Sequence, residues 1–145
     1  RKHVVFNFKD YGRAVVELDV ANCPTTCAFF VDCFMRGALT WDGARGPTGG
    51  HTLLTTRPFD FASSGDKNIS NASGNYYWGI KHWCHPVPII HKIRTYLRAL
   101  NGDQTTFLLT SNPDGGKFFG RVVQGAEFLG RNPQAKFELL GFGVV

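Results

Sequence analysis

Apolar and polar positions alternate cleanly where the chain begins. In HVVFNF, Val4, Phe6 and Phe8 fall on one side of an extended segment. After KDYG the same alternation returns in Ala14, Val16 and Leu18. A period of two on either side of a turn cluster predicts a β-hairpin with one buried face. The period then lengthens. In NCPTTCAFFVDCFMRG, Cys27, Phe30, Val31 and Phe34 recur at helical spacing, with Thr26 as candidate N-cap and Gly37 as candidate stop. That face is apolar enough to be buried.

Further along the pattern is more broken. Residues 41–50, WDGARGPTGG, read as a loop, and HTLLTTRPFDFAS offers two short strand pieces interrupted by Pro58. SSGDKNISNASGN reads as a polar loop, and YYWGIKHWCHPVPI sets aromatics between Gly and Pro punctuation. IIHKIRTYLRALNG fits two periods at once. Ile89, Ile90, Ile93, Leu97 and Leu100 suit a helix ending at Asn101-Gly102, whereas Ile93, Thr95, Leu97 and Ala99 suit a strand. TTFLLTS, FFGRVVQG and KFELLGFGVV read as strands, with GAEFLGR as a short helical turn between the last two. Strands dominate, and neither a repeat nor a linker divides the chain. The prediction is one domain over 1–145, mainly β: a closed or strongly curved antiparallel sheet with one or two helices on it.

Composition narrows the class. A chain of 145 residues, 43% hydrophobic and 19% charged, has the size and make-up of one globular domain. Thirteen Phe and seventeen Gly favour strands and turns over long helices. No apolar run approaches the roughly 20 residues of a membrane-spanning helix, so no membrane is expected. No charged-then-apolar leader opens the chain, but Arg1 in place of Met fits a trimmed chain or a domain cut from a longer one, so missing signals decide little; the compartment is left open, with intracellular expected over secreted. The net charge of +5 is spread rather than blocked, which points to a mildly positive surface and away from nucleic acid. HKIRTYLR (91–98) is the exception, interleaving Lys92, Arg94 and Arg98 with Tyr96.

Four cysteines, at 23, 27, 33 and 84, form no C-x-x-C pair and are expected as buried free thiols. His82, Cys84 and His85, with His91 beyond, match no common zinc spacing, and Pro86 stiffens the backbone beside them. Neither a metal nor another cofactor is expected. The sequons NIS (68–70) and NAS (71–73) matter only in a secreted protein and otherwise mark a polar loop.

Three stretches resemble the cyclophilins, the peptidyl-prolyl isomerases built on an eight-stranded barrel with a helix over each open end. GRAVVELDVANCPTTCAFF (12–30) is similar to the family's G-R-x-x-x-E-L followed by P-x-T-x-x-x-F, through Gly12, Arg13, Glu17, Leu18, Pro24, Thr26 and Phe30. PFDFASSGD (58–66) resembles P-x-F-x-x-Q-x-G-D through Pro58, Gly65 and Asp66. TTFLLTS stands where the family has S-Q-F-F-I-C-T. GGKFFGRVVQGAEFL stands at D-G-K-H-V-V-F-G-K-V-x-x-G, with Lys117, Phe119, Gly120, Val122 and Gly125 carrying the match. The stretches come in family order and reach across nearly the whole chain. The resemblance implies a closed eight-stranded antiparallel cyclophilin-like barrel with about two capping helices.

It also implies a chemistry to look for. Rotation about an X-Pro bond faces a barrier of ~18–20 kcal/mol. The family is understood to lower it by seating proline in an apolar pocket while an arginine guanidinium draws density from the prolyl nitrogen, a preorganised charge in a dry groove. In the ungapped alignment Thr55 stands at the arginine position and Leu54 at the histidine before it. Asp60 replaces a pocket phenylalanine, Phe61 takes the adjacent apolar place, and Ser63 replaces a glutamine. Thr106 stands at a second glutamine, Phe107 is retained, and Leu108 replaces the second pocket phenylalanine. NPDGGK lacks the family's loop tryptophan, Phe118 stands at its histidine, and TYLRALNGDQ has no copy of the G-x-L-S-M-A-N loop. Arg57, two residues after Thr55, would share its face in an extended strand and is the catalytic residue if activity survives; Asp60 is its expected ion-pair partner.

The resulting expectation is a cyclophilin-like domain with lost or strongly reduced isomerase activity, serving as an interaction or structural module. Its ligand would be a protein partner or a proline-containing peptide, with Trp41, Tyr76, Tyr77, Trp78 and Trp83 as candidate contact aromatics. A divergent working isomerase using Arg57 is the alternative, and an RNA-contacting domain using Lys92, Arg94, Tyr96 and Arg98 a further one.

Overall fold

The computed structural model describes residues 3–45, 51–60, 63–66, 96–99, 106–110, 117–125, 128 and 137–145; of these, 43–45, 51, 52, 96–99, 106, 108, 110 and 117 are described by backbone alone. The opening alternation becomes a hairpin of β1 (His3–Phe8) and β2 (Gly12–Leu18), in the register Val4↔Val16 and Phe6↔Ala14. This register puts Val4, Phe6, Phe8, Ala14, Val16 and Leu18 all on one face, and all are buried. Beyond Leu18 the buried Asp19 turns the chain. Its carboxylate accepts from the Asn22 backbone N–H at 3.3 Å and from Asn22 Nδ2 at 3.0 Å.

The helix α1 (Pro24–Met35) follows. Its N-cap is Cys23 rather than Thr26, because Pro24, with no N–H and a preset φ, suits the first helical position. The unsatisfied N–H groups of the first turn are met from a distant part of the chain. Asp66 accepts from Thr25 N–H at 3.1 Å and from Thr26 N–H at 2.6 Å. Burial works to raise the Asp66 pKa, but the hydrogen bonds from Thr26 and Thr25 outweigh it and hold the carboxyl below its usual range. At the other end Gly37 ends the helix with φ +66°. Its N–H bonds Phe34 O at 3.2 Å while Ala38 N–H bonds Cys33 O at 2.8 Å, a Schellman closure.

Six further strands follow: β3 (Leu39–Arg45), β4 (His51–Thr55), β5 (Tyr96–Ala99), β6 (Thr106–Thr110), β7 (Lys117–Gln124) and β8 (Leu139–Val144). The eight strands of the described residues lie in one sheet of order β3-β4-β6-β5-β7-β2-β1-β8. Every neighbouring pair is antiparallel. The sheet curls. Trp41 of β3, at one end of the order, lies with its ring centroid 5.1 Å from that of Phe8 and 6.1 Å from that of Phe6 on β1, the last strand but one at the other end. Its indole Nε1–H donates to Phe137 O at 2.9 Å, just ahead of β8. Among the described residues, however, no backbone ladder joins β3 to β8, and α1 is the one helix with described bounds.

Inside the curl α1 lays Phe30 edge-on against Phe107 (4.9 Å) and Phe119 (5.4 Å), and Phe34 against Phe142 of β8 (4.3 Å). Cys23, Cys27 and Cys33 are buried free thiols. Burial, then the neighbouring Cys23, pushes the Cys27 thiol far above its ordinary pKa.

Several expectations are corrected. Residues 39–45 form β3 where 41–50 read as loop: the turn-forming Asp42 and Gly43 are absorbed by a register shift between Trp41 and Arg45 opposite β4. After Pro58 the described residues Phe59 and Asp60 are irregular, and the rest of the expected second strand piece up to residue 62 lies outside the described residues. Of the ambiguous stretch, Tyr96–Ala99 is strand β5, ladder-bonded on both sides. Trp41, open to reading as a contact aromatic or as core packing, is partly buried and packs against the core. Of GAEFLGR, Gly125 and Phe128 are described, Phe128 with helical backbone. The candidate zinc residues, both sequons, Cys84, Lys92, Arg94 and the aromatics from Tyr76 to Trp83 lie outside the described residues.

Candidate functional site

The stretch aligned with the family's catalytic segment is the end of β4 and the turn after it. Leu53 and Thr55 point into the core, and Leu54 points out. Thr55, opposite Leu39 of β3, brings its hydroxyl to 3.5 Å from Cys33 Sγ on the helix. The same hydroxyl accepts from Arg57 N–H at 3.0 Å and reaches Arg57 O at 3.3 Å. A threonine hydroxyl bonded to the backbone two residues on closes a local turn and competes with strand continuation. Hence β4 stops at Thr55. The extended continuation that would have put Arg57 on the Thr55 face does not occur.

Arg57 instead swings over the outer side of α1. Its Nη1 donates to Asp32 Oδ2, and its guanidinium lies 5.6 Å from the centre of the Phe29 ring. The expected partner was Asp60; the turn at Thr55 directs the side chain to Asp32. Asp60 accepts from Ser63, through the backbone N–H at 3.2 Å and through Oγ. On its other oxygen Asp32 accepts from Arg36 Nε at 2.9 Å, one helical turn on. Hydrogen bonds from Arg57 and then Arg36 hold the Asp32 carboxyl below its usual range, and Asp32 in turn raises Arg57. Phe59 stacks on Phe29 with centroids 4.4 Å apart and planes 24° apart.

The other site candidates are dispersed around this cluster. Phe107 of β6 is buried and touches Phe29 at 6.5 Å as well as Phe30. Thr106 and Leu108, its strand neighbours, pair in the backbone with Leu54 and Thr52 of β4. Phe118 is buried directly beside buried Phe119, so both faces of β7 are covered at that point. Phe118 O lies 3.5 Å from Cys23 Sγ. Tyr96 and Arg98 sit on β5, between β6 and β7. Phe61 lies outside the described residues.

The structure thus gathers Thr55, Arg57 and Phe107 around α1, and ties Asp60 to Ser63 in a separate turn. Asp32, Phe29 and Phe59 are new to the cluster. The spacing 29, 32, 36 on one helix face was visible in the sequence, but nothing there indicated that the β4 turn would fold over it. Chemically, a guanidinium already bonded to a carboxylate is an attenuated electrophile. A part-exposed guanidinium beside two rings suits recognition of an anion or an apolar side chain.

No protein-family model matches the chain, and no curated protein matches it. Solved structures do. The chain is similar to a cyclophilin type peptidyl-prolyl cis-trans isomerase of Cryptosporidium parvum, at 14% identity over 99% of this chain and 97% of that one, with a TM-score of 0.51. The same enzyme solved in the presence of the dipeptide Ala-Pro matches at 14% identity over 99% of both chains, with a TM-score of 0.53. With helix α1 packed against one curled antiparallel sheet, the chain has a cyclophilin-like fold.

Proposed function

We propose that the chain is a divergent cyclophilin-like domain whose prolyl isomerase activity is lost or strongly reduced, and which serves as a protein-interaction module. The observation carrying this reading is at the aligned arginine position. Thr55 there is buried against Cys33, while the nearest arginine, Arg57, is bonded to Asp32. The ligand is a protein partner or a proline-containing peptide. In the same reading the curled sheet closes into an eight-stranded barrel along the β3–β8 seam, a closure supported by the bond from Trp41 to Phe137. A protease-coupled assay on an X-Pro peptide tests the catalytic half, with rates at the uncatalysed background expected. A second reading, a working isomerase, draws on Arg57 standing beside the Phe29–Phe59 ring pair. It predicts a rate above background that Arg57→Ala abolishes, and that result would overturn the first reading.

A further inference from the structure

On the outer side of α1 one carboxylate is shared by two guanidinium groups. Asp32 accepts from Arg57 on Oδ2 and from Arg36 on Oδ1, leaving the trio with a local charge of one positive unit. The side chains of Arg57 and Arg36 are 43% and 68% exposed, and the bonds to Asp32 take Arg57 Nη1 and Arg36 Nε. Beside them stand the half-buried Phe29–Phe59 stack and the exposed Met35, three residues on from Asp32. A forked donor presents two parallel N–H groups to a carboxylate, and rings with an adaptable thioether take an apolar side chain. The chain as a whole carries a net charge of +5, which favours approach of an acidic partner.

From this juxtaposition we propose that the Arg36–Asp32–Arg57 face, with Phe29, Phe59 and Met35, docks a protein segment bearing an acidic side chain next to an apolar one. Asp32 is the internal competitor of that acid: it holds both arginines in place and weakens their pull on an incoming carboxylate. The inference rests on the interaction-module reading and names the partner's chemistry.

The test titrates the full chain calorimetrically with the capped peptide acetyl-Glu-Phe-Gly-Glu-Phe-Gly-amide and with its Gln counterpart. Saturable binding of the Glu peptide that weakens with salt is expected, with the Gln peptide and the R36Q/R57Q double variant each roughly tenfold weaker. Asp32→Asn should tighten binding severalfold, which a merely structural role for Asp32 would not do. Arg36→Gln alone, at a well-exposed side chain, keeps the test decisive if the double variant melts early. No saturable heat up to about 1 mM peptide, equal binding of the Gln peptide, or weaker binding by the Asp32→Asn chain would each overturn the proposal. If a purified natural partner binds the R36Q/R57Q chain undiminished, this docking face falls and the interaction-module reading stands. Isomerase activity above background removes that reading whatever the peptides do.

Discussion

At the scale of single residues, Thr55 shows how an alignment and a structure can give the same position different meanings. By its place in the sequence it stands for a catalytic arginine. By its surroundings it is a core residue whose hydroxyl lies between Cys33 and the Arg57 backbone. On the proposed reading, placing the arginine of the cyclophilin motif there should therefore not confer activity. Thr55→Arg would bury a guanidinium with no carboxylate described beside it, at a cost on the order of 3 kcal/mol or more. The expected outcome is a clearly lowered melting temperature, with isomerisation still at background. A rise in isomerase rate in a stably folded Thr55→Arg chain would sink this account. The Arg57–Asp32 pair was not legible in the sequence, because it depends on a three-residue turn whose direction is set by one hydroxyl. Buried Phe107 was legible, since it sits in an apolar strand.

Elements were easier to foresee where one period ruled. The first hairpin follows from alternation alone, and α1 from its helical spacing. The cap was misplaced because Pro24 carries a positional preference stronger than the hydroxyl of Thr26. β3 was missed because Gly43 and Asp42 are turn-formers that a register shift can absorb. The distant cap on α1 gives a prediction at this scale. Asp66→Ala should lower stability by about 1 kcal/mol near neutral pH, the usual loss for a removed helix cap. Because the Asp66 pKa is lowered in the folded chain, its contribution is present above the ordinary carboxyl range near pH 4 and is lost as pH falls through the lowered value. Parallel denaturant titrations of the two chains should therefore converge in acid. A gap independent of pH would show that Asp66 acts through packing instead.

For the whole molecule, the strand order was beyond reach of the local pattern. Nothing in TFLLT says that it lies between β4 and β5, because that neighbourhood is decided by which faces must be covered together. The family resemblance supplied the plan that periodicity could not. The three cysteines among the described residues have a practical consequence. Cys23 and Cys27 sit against the carbonyls of Phe118 and Phe119, and Cys33 against Thr55, all shut away between helix and sheet. A thiol shut away from solvent reacts only when the surrounding structure opens. Alkylation of these three by iodoacetamide, followed by peptide mass, should advance together and at the rate at which α1 leaves the sheet. The molecule would then carry its own clock for opening; early modification of one cysteine alone would mean that the helix frays before it lifts.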